Sequence, residues 1–177
     1  MSAAVYIAAS VDGFIARADG GLDWLPPPEG SEDYGYAAFM ASVDALVMGR
    51  KTFETVLGFG EWPYEKPVFV MSRAGVSIPE RLAGRAEAVA GTPAEVLAAL
   101  AARGLRRVYL DGGLTIHGFL AAGLVDELVI TRVPVLLGEG IPLFHPRAGE
   151  LKLRHVETRA FASGLVQSRY VTLADAP

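Results

Sequence analysis

The sequence predicts a layered α/β domain with a mainly parallel central sheet. Short apolar runs alternate with helix-like segments along most of the chain, and this alternation is typical of strand–helix–strand units. Glycines follow several of the apolar runs directly, as tight strand-to-helix turns require. The chain has 177 residues, of which 51% are hydrophobic and 20% are charged. These values fit a single globular domain over residues 1–177.

The chain begins with a predicted strand, a long loop and a helix. The apolar run 3–9 predicts a buried strand. Segment 10–30 contains two Asp-Gly pairs and three consecutive prolines, so it is predicted to be a loop. Residues 31–33 offer an N-cap and an acidic first turn to a helix that extends to about Ser42.

The middle of the chain alternates between strands and helices. Strands are predicted at 44–49 and 66–72, where apolar residues run without interruption, and a short helix at 51–57 lies between them. Thr92 then caps an alanine-rich helix, which has proline in its first position and ends at Gly104.

The last part of the chain differs in kind from the rest. A strand at 106–111, a helix at 115–122 closed by Gly123, and a strand at 126–135 continue the alternation. The segment 151–174 instead alternates apolar and polar residues around an Ala-Ser-Gly turn, which predicts a terminal antiparallel hairpin.

Composition excludes several classes of function. A net charge of −4 and a pI near 5.4 provide no cationic surface for nucleic acid or for an anionic membrane. The chain has no cysteine, which excludes disulfides and thiolate nucleophiles and fits a reducing cytoplasm. No basic leader precedes an apolar core at the N-terminus, and no apolar run is long enough to span a membrane. We therefore expect a cytoplasmic protein.

The sequence lacks the signatures of several other nucleotide-binding, catalytic and metal sites. No Walker phosphate loop, Rossmann glycine fingerprint or Gly-x-Ser-x-Gly motif is present. The three histidines, His117, His145 and His155, are too scattered for a zinc site, so no metal is expected.

Two strand ends carry the same chemistry. Gly49 and the pair Gly112–Gly113 each follow an apolar strand and precede a helix, so free backbone N–H groups and a helix dipole meet at one edge of the sheet. Ligands of parallel α/β sheets bind beyond the carboxyl ends of the strands. The two turns therefore favour a shared pyrophosphate site, although glycine is also common in turns that bind nothing.

A small cluster of donors adjoins these turns. Arg50, Lys51, Ser72 and Arg73 follow two strand ends in an otherwise acidic protein. This set suits the additional ribose phosphate of NADP. The alternative is four solvated polar residues.

Two carboxylates are candidate acids. Asp12 follows the first strand, and its alternative role is to form the Asp-Gly turn. Asp33 opens the first helix, and its alternative role is to cap that helix.

Five segments in this order resemble the dihydrofolate reductase-like superfamily: "ASVDGFIARADGGLDWLPP", "ALVMGRKTFE", "PVFVMSR", "LDGG" and "LVDELVITRVPVLLGEGIPLF". The second half is most similar to the reductase domain of riboflavin biosynthesis, which reduces the ribose of a phosphoribosylamino-uracil to a ribityl chain. The resemblance implies a three-layer α/β/α fold and an NADPH-dependent reductase.

The resemblance also implies roles for individual residues. Gly49, Arg50, Lys51 and Thr52 would bind the diphosphate and the adenosine phosphate, and Ser72 and Arg73 the adenosine side. The nicotinamide and pyrophosphate would lie on Gly112, Gly113, Leu114, Thr115 and Ile116. A flap over the nicotinamide would contain Ala9, Ile15, Gly20, Leu22 and, beyond them, Trp24.

The chain departs from the family patterns where substrate is bound. The acid of folate reductases falls on Asp33 or on Gly35, depending on the alignment. Glu65 and Lys66 stand where folate reductases carry an arginine, and Phe14 stands where riboflavin reductases carry a lysine. We therefore expect a small heterocyclic or carbonyl substrate, either phosphoribosylamino-uracil-like or pterin-like.

Four apolar residues could line the substrate pocket: Trp24, Phe39, Met40 and Phe59. The exposed hairpin and the apolar segment 133–144 suggest a homodimer. The alternatives are a dihydrofolate reductase, a non-catalytic nucleotide-binding protein, and a structural protein that binds no cofactor.

Overall fold

The structure is a computed structural model that describes residues 1–27, 32–146 and 149–173. Its centre is an eight-stranded sheet of order β5-β4-β3-β6-β1-β7-β10-β9. The strands from β5 to β7 in this order are parallel to their neighbours, whereas β10 is antiparallel to β7 and β9. This arrangement confirms the predicted parallel sheet with a C-terminal antiparallel hairpin.

The strands of the large sheet follow the apolar runs of the sequence. They are β1 (Ser2–Ser10), β3 (Ala45–Gly49), β4 (Val68–Met71), β5 (Ala86–Val89), β6 (Arg107–Asp111), β7 (Glu127–Val133), β9 (Leu153–Ala160) and β10 (Val166–Thr172). The sequence pattern does not predict β5, because only Ala86 of its four residues is buried and the adjacent Glu87 and Ala88 are both exposed.

Four helices connect the parallel strands. They are α1 (Tyr36–Ala41), α2 (Arg50–Leu57), α3 (Pro93–Ala102) and α4 (Gly113–Ala121), with a single 3₁₀ turn at Glu80–Leu82. Thr92 forms a complete capping box with Glu95 at the start of α3, as the sequence predicts. Among the described residues, no helix is both long and apolar enough to cross a lipid bilayer.

The helices form a layer on each face of the sheet. On one face α3 and α4 bury Leu100, Ile116 and Phe119 against the alternate strand residues Val47 and Leu110. On the other face α1 and α2 bury Phe39 and Phe53 with a second set of strand residues that includes Leu46, Met48 and Tyr109. Because both faces are covered, the central strands are apolar throughout. The result is the predicted three-layer α/β/α architecture.

The first helix begins later than the sequence predicts. The prediction began it at residues 31–33, but α1 begins at Tyr36. Tyr34 and Gly35 both have positive φ, of 57° and 84°, and this left-handed backbone cannot belong to a right-handed helix. Ser31 lies outside the described residues.

The predicted loop 10–30 contains a short strand. Phe14–Ala16 (β2) pairs antiparallel with Ile141–Pro142 (β8) in a separate two-stranded sheet. Gly140 permits the close approach, since a Cβ there would collide with the carbonyl oxygen of Ala16. The pairing depends on a partner more than a hundred residues away, so local sequence could not predict it.

Candidate active site

The predicted nucleotide-binding turns lie at one edge of the sheet. Strand β3 is flanked by β4 and β6, and β6 is flanked by β3 and β1. All four strands are parallel, so their carboxyl ends, and the turns that follow them, lie side by side. The juxtaposition predicted from the sequence is therefore present.

The two glycine turns interlock. Gly112 has a φ of 91°, and a Cβ at this position would collide with the hydroxyl of Thr52. In return, a Cβ at Gly49 would lie 3.0 Å from Oγ1 of Thr115. Each turn thus packs a threonine of its helix against the glycine of the other turn. Side chains at either glycine would separate the two turns, so both positions require glycine.

Both turns leave helix donors available. Gly49 is the N-cap of α2 and Gly112 is the N-cap of α4, and neither helix start has a side-chain cap. The first N–H groups of a helix lack intrahelical acceptors, and the helix dipole adds positive potential there. Two such starts on adjacent strands form a site suited to a pyrophosphate.

The residues around Gly113 differ in how far they are exposed to a ligand. Gly113 and Thr115 are buried, whereas the Leu114 side chain is 69% exposed. Ile116 is fully buried in the core beneath α4, so it could offer a ligand only its backbone.

One of the predicted cationic residues, Arg50, lines a groove. Between α2 and the segment that follows β4 there is a cavity of about 440 Å³, and Arg50, Phe53, Gly75 and Ser77 are among its lining residues. Arg50 forms an exposed ion pair of 2.7 Å with Glu54. The Ser72 hydroxyl donates to the carbonyl of Gly75 at 2.7 Å.

Lys51 and Arg73 are exposed. Of the four predicted donors, Arg50 lines the groove. Two of them, Arg50 and Ser72, are engaged with protein groups that a phosphate would have to replace.

The predicted flap packs against the second glycine turn. A Cβ at Gly113 would lie 3.0 Å from Cδ1 of Ile15, which belongs to β2. Leu22 and Trp24 are half-buried, Gly20 forms a turn of positive φ, and Ala9 is buried in β1. Ile15 is therefore placed to cover whatever binds at Gly113.

Asp12 holds the flap to the rest of the chain. Its carboxylate accepts hydrogen bonds from the Ser10 hydroxyl at 2.5 Å and from the backbone N–H groups of Leu137 and Gly138. The Ser10 hydroxyl, followed by these backbone donors, lowers the pKa of Asp12. An ionised, fully engaged carboxylate suits an anchor better than a proton donor.

Asp33 also acts as a structural acceptor. Its carboxylate accepts from the N–H groups of Gly35 and Ala37, each at 2.9 Å, at the start of α1. These backbone donors, chiefly that of Ala37, lower the pKa of Asp33. Both carboxylates proposed as acids from the sequence are thus held in the ionised form.

A third carboxylate has the opposite character. Asp111 is the last residue of β6 and immediately precedes the glycine pair. Burial raises its pKa to about 6, against the smaller effects of the Gly112 N–H and the Tyr64 hydroxyl, which act on it as hydrogen-bond donors. An acid with a pKa near neutrality, next to a glycine turn at a helix start, can hold and release a proton under physiological conditions.

Tyrosines surround Asp111. Burial, followed by the negative charge of Asp111, raises the pKa of Tyr36 to about 12 and raises the pKa values of Tyr64 and Tyr109 as well. Tyr36 is 36% exposed and belongs to the first turn of α1. Three separate segments of the chain therefore place phenol groups around one carboxyl.

Local sequence pattern does not single out Asp111, although the residue directly precedes the predicted glycine turn. The available signal was the strand period, because Tyr109 and Asp111 point to the same face of β6 as the aromatic residues of α1.

The four predicted pocket residues have different environments. Phe39 is buried between Tyr6 and Tyr109, at ring-centroid distances of 5.0 and 5.1 Å. Met40 and Trp24 are half-buried. Phe59 is 60% exposed and follows the C-terminal end of α2, away from the edge where that helix begins. Of these four residues, Phe39 is the one whose ring packs against Tyr109, two residues before Asp111 on β6.

No group of three or more metal-binding side chains is found within residues 1–27, 32–146 and 149–173. The rings of His117 and His145 lie 4.9 Å apart at an interplanar angle of 50°, whereas His155 lies apart on β9 and forms a hydrogen bond with Thr158.

Comparison with known proteins identifies the family of this chain. A sequence model of the RibD C-terminal domain family matches residues 4–167. The chain belongs to the RibD C-terminal domain family.

Members of the RibD C-terminal domain family and their structural neighbours cover nearly the whole chain. The uncharacterized protein YwjB of Bacillus subtilis is 36% identical over 170 residues, which are 94% of this chain and 95% of YwjB. A crystal structure of a protein from Shewanella sp. PV-4, provisionally assigned to riboflavin biosynthesis, is 41% identical. It matches with a TM-score of 0.94 over 98% of this chain and 100% of that chain.

A more distant neighbour establishes the fold. Dihydrofolate reductase from Enterococcus faecalis, complexed with NADP(H) and RAB-propyl, matches with a TM-score of 0.69 at 20% identity. The match covers 97% of this chain and 96% of that chain. The dihydrofolate reductase-like fold predicted from the sequence is confirmed, and membership of the RibD C-terminal family relates the chain to reductases.

Proposed function

We propose that this chain is an NADPH-dependent reductase that transfers hydride to a small flat heterocycle or carbonyl compound, with Asp111 as the proton donor. The observation that carries the proposal is the position of Asp111. The carboxyl has a pKa of about 6 and directly precedes the glycine turn that interlocks with the start of α2. The family relationship supports a reductase.

The seat for the cofactor is built from backbone and cations. The uncapped starts of α2 and α4 would hold the pyrophosphate, and Arg50 and Arg73 would face the additional phosphate of NADPH. The solved complex of the Enterococcus reductase with NADP(H) supports such a seat in this fold. The bound nicotinamide supplies the hydride.

The flap would hold the reacting ring in position and exclude water from it. Ile15 contacts Gly113, and Asp12 anchors the segment around it to residues 137–138. A segment held at this point would cover the reacting ring and keep water from the developing charge.

Asp111 completes the reaction. Hydride transfer places negative charge on the substrate, and a neutral carboxyl beside the accepting ring can donate its proton to that charge. Asp12 and Asp33 have lowered pKa values, so they are poorer donors. The Tyr64 hydroxyl would then stabilise the carboxylate that remains.

The direct test is oxidation of NADPH with a panel of dihydropterins, pterins, aminouracils and simple carbonyl compounds. We expect turnover with at least one compound, and kcat/KM that falls as pH rises through about 6, because only protonated Asp111 can donate. The Asp111→Asn variant should bind NADPH normally but lose turnover by about a hundredfold or more. Binding of NADPH without turnover of any compound would instead indicate a nucleotide-binding protein.

A further inference from the structure

Beside Asp111 lies a cluster of aromatic rings, buried at Phe39 and Tyr109 and partly exposed at Tyr6 and Tyr36, which we name the tyrosine trough. Tyr6 lies in its centre, with its ring centroid 5.5 Å from Tyr36 and 5.0 Å from Phe39. The Tyr109 hydroxyl donates to the carbonyl of Tyr6 at 2.8 Å. Asp111 follows Tyr109 by two residues on β6 and therefore lies on the same face of the sheet. One end of the trough is thus a carboxyl.

The other end of the tyrosine trough is also acidic. The Tyr6 hydroxyl donates to the carbonyl of Tyr34 at 2.9 Å, which joins it to the turn before α1. Glu32 and Asp33 form that turn, and their negative charges contribute to the raised pKa of Tyr6, after burial as the main cause. A ligand along the trough would therefore have carboxylates at both ends.

Backbone donors that could hold a phosphate are already engaged at this second end. The Glu32 carboxylate accepts from the N–H of Tyr34 at 2.8 Å. The Asp33 carboxylate accepts from the N–H groups of Gly35 and Ala37. The chain's own carboxylates thus occupy the place that an anion would take at the start of a helix.

Cations of the described chain do not compensate for this charge. Arg159 of β9 acts on Asp33, but weakly, and its guanidinium lies 5.3 Å above the Phe161 ring. Arg107 and Arg169 are both bound to the buried Glu127. No lysine or arginine of the described residues contributes to the pKa of Asp111. The trough therefore presents a negative potential to its ligand.

We propose that the substrate carries no phosphate and is a neutral or cationic flat ring that stacks on the tyrosine trough and presents an N–H donor beside an acceptor nitrogen to Asp111. The neutral carboxyl that donates the proton can accept from the N–H group and donate to the nitrogen at the same time. Aromatic faces attract flat and cationic rings. A phosphoribosyl group would extend toward Asp33 and Glu32, which repel it. The inference rests on the proposed reductase function, since it concerns the substrate of that same site.

The test compares matched ligands on the protein saturated with NADP⁺. An aminouracil or pterin would be titrated beside the same ring carrying a ribosyl phosphate, with binding followed by calorimetry. We expect the ring without phosphate to bind more tightly by at least about tenfold, the effect of one like-charge pair near a protein surface. The preference should shrink as salt rises. Tighter binding of the phosphorylated compound, or no binding of either ring, overturns the proposal.

A substitution isolates the charge at the far end of the trough. Asp33→Asn keeps an oxygen that can cap α1 but removes the negative charge, so it should narrow the preference several-fold. Glu80→Gln makes the same change of charge in the 3₁₀ turn before β5 and should leave the preference unchanged. Equal effects of the two substitutions contradict the proposal. Thermal melting checks that both variants fold.

The experiment separates this inference from the proposed function. Enhancement of NADPH fluorescence on mixing reports cofactor binding before any ring is added. If that signal is absent, the reductase proposal fails. If cofactor binds and the phosphorylated ring is preferred, the reductase proposal stands and only the inference about the substrate is wrong.

Discussion

Asp111 is a carboxyl in an environment that disfavours its own negative charge. Its carboxyl is half-buried and accepts a hydrogen bond from the Tyr64 hydroxyl, and burial favours the protonated form. The same environment makes the ionised form unfavourable at neutral pH. A residue that lowers stability where the protein must work is typical of a functional site.

The raised pKa of Asp111 predicts the effect of Asp111→Asn on stability. The folded protein binds the Asp111 proton more tightly than the unfolded chain, since the pKa rises from 3.8 to about 6. Stability from this group is therefore present below pH 4 and is lost as pH rises from about 4 to about 6. The variant should be more stable than the parent at pH 8 by about 1–2 kcal/mol, after allowance for partial exposure.

Urea unfolding at pH 4 and pH 8 measures this difference. The gain from Asp111→Asn should be small at the lower pH and full at the higher one. Asp126→Asn is a poor control because Asp126 accepts a hydrogen bond from the N–H of Ala3, so Glu61→Gln, at an exposed position, should be used instead. A gain that is independent of pH would contradict a raised pKa for Asp111.

The cations beside the groove predict selectivity for the cofactor. Arg50 and Arg73 are exposed near the segment that follows β4, where the additional phosphate of NADPH would lie. Replacing both with alanine should weaken NADPH binding by about tenfold or more and NADH binding by less than about threefold. Fluorescence titration with each cofactor measures this. Arg81→Ala, in the 3₁₀ turn before β5, provides the control, and equal losses for both cofactors would refute the phosphate assignment.

At the scale of elements, the two helix starts depend on one another. Thr52 of α2 fills the space above Gly112, and Thr115 of α4 fills the space above Gly49. A change at one turn is therefore transmitted to the other through a hydroxyl. This dependence brings the two sets of free N–H groups to one place.

The interlocked turns predict the result of Gly112→Ala. The new Cβ would collide with the Thr52 hydroxyl in a backbone of positive φ, so the free energy of unfolding should fall by about 2–4 kcal/mol. NADPH binding should be lost. Gly123→Ala has a similar φ of 68° but no neighbour within 4 Å, so it should cost only about 1 kcal/mol and leave binding intact. Similar losses in the two variants would show that the interlock is unimportant.

The sequence predicts the elements better than it predicts their pairing. The glycine turns at 49 and 112–113 and the mainly parallel direction of the strands follow from local pattern, because both depend on turn chemistry and on apolar runs. The pairing of β2 with β8 does not, since it joins residues 14 and 142. The late start of α1 was also hidden, because Tyr34 adopts a left-handed backbone that its residue type does not favour.

The same limit applies to the candidate site. Asp12 and Asp33 are predicted as acids because they stand at a strand end and at a helix start, which are visible in sequence. Their low pKa values arise from backbone donors that only the fold supplies. The raised pKa of Asp111 arises from burial, which the packing of the folded chain supplies. Electrostatic environment is a property of the assembled chain, so local pattern misses it.

At the scale of the whole molecule, the open edge of the sheet suggests self-association. Every residue of β9 is exposed, including Leu153 and Val156 at 38% each, and an edge strand of eight residues leaves backbone groups unpaired. We expect a homodimer in which this hairpin contacts a second copy of the chain. Light scattering should give twice the mass of one chain.

Val156→Lys should reduce that mass to one chain, because a charge on the hairpin opposes burial. Ala98→Lys, at an exposed position of α3, should not change it. A monomeric mass for the unaltered protein would exclude the dimer.

The central claim is that the adjacent starts of α2 and α4 form one seat for a dinucleotide. A crystal structure of the protein soaked with NADPH tests it most directly. We predict that the pyrophosphate lies between Gly49 and Gly112, with the nicotinamide beside Asp111 and beneath Ile15. Density for the cofactor elsewhere on the molecule, or none at saturating concentration, would contradict the account.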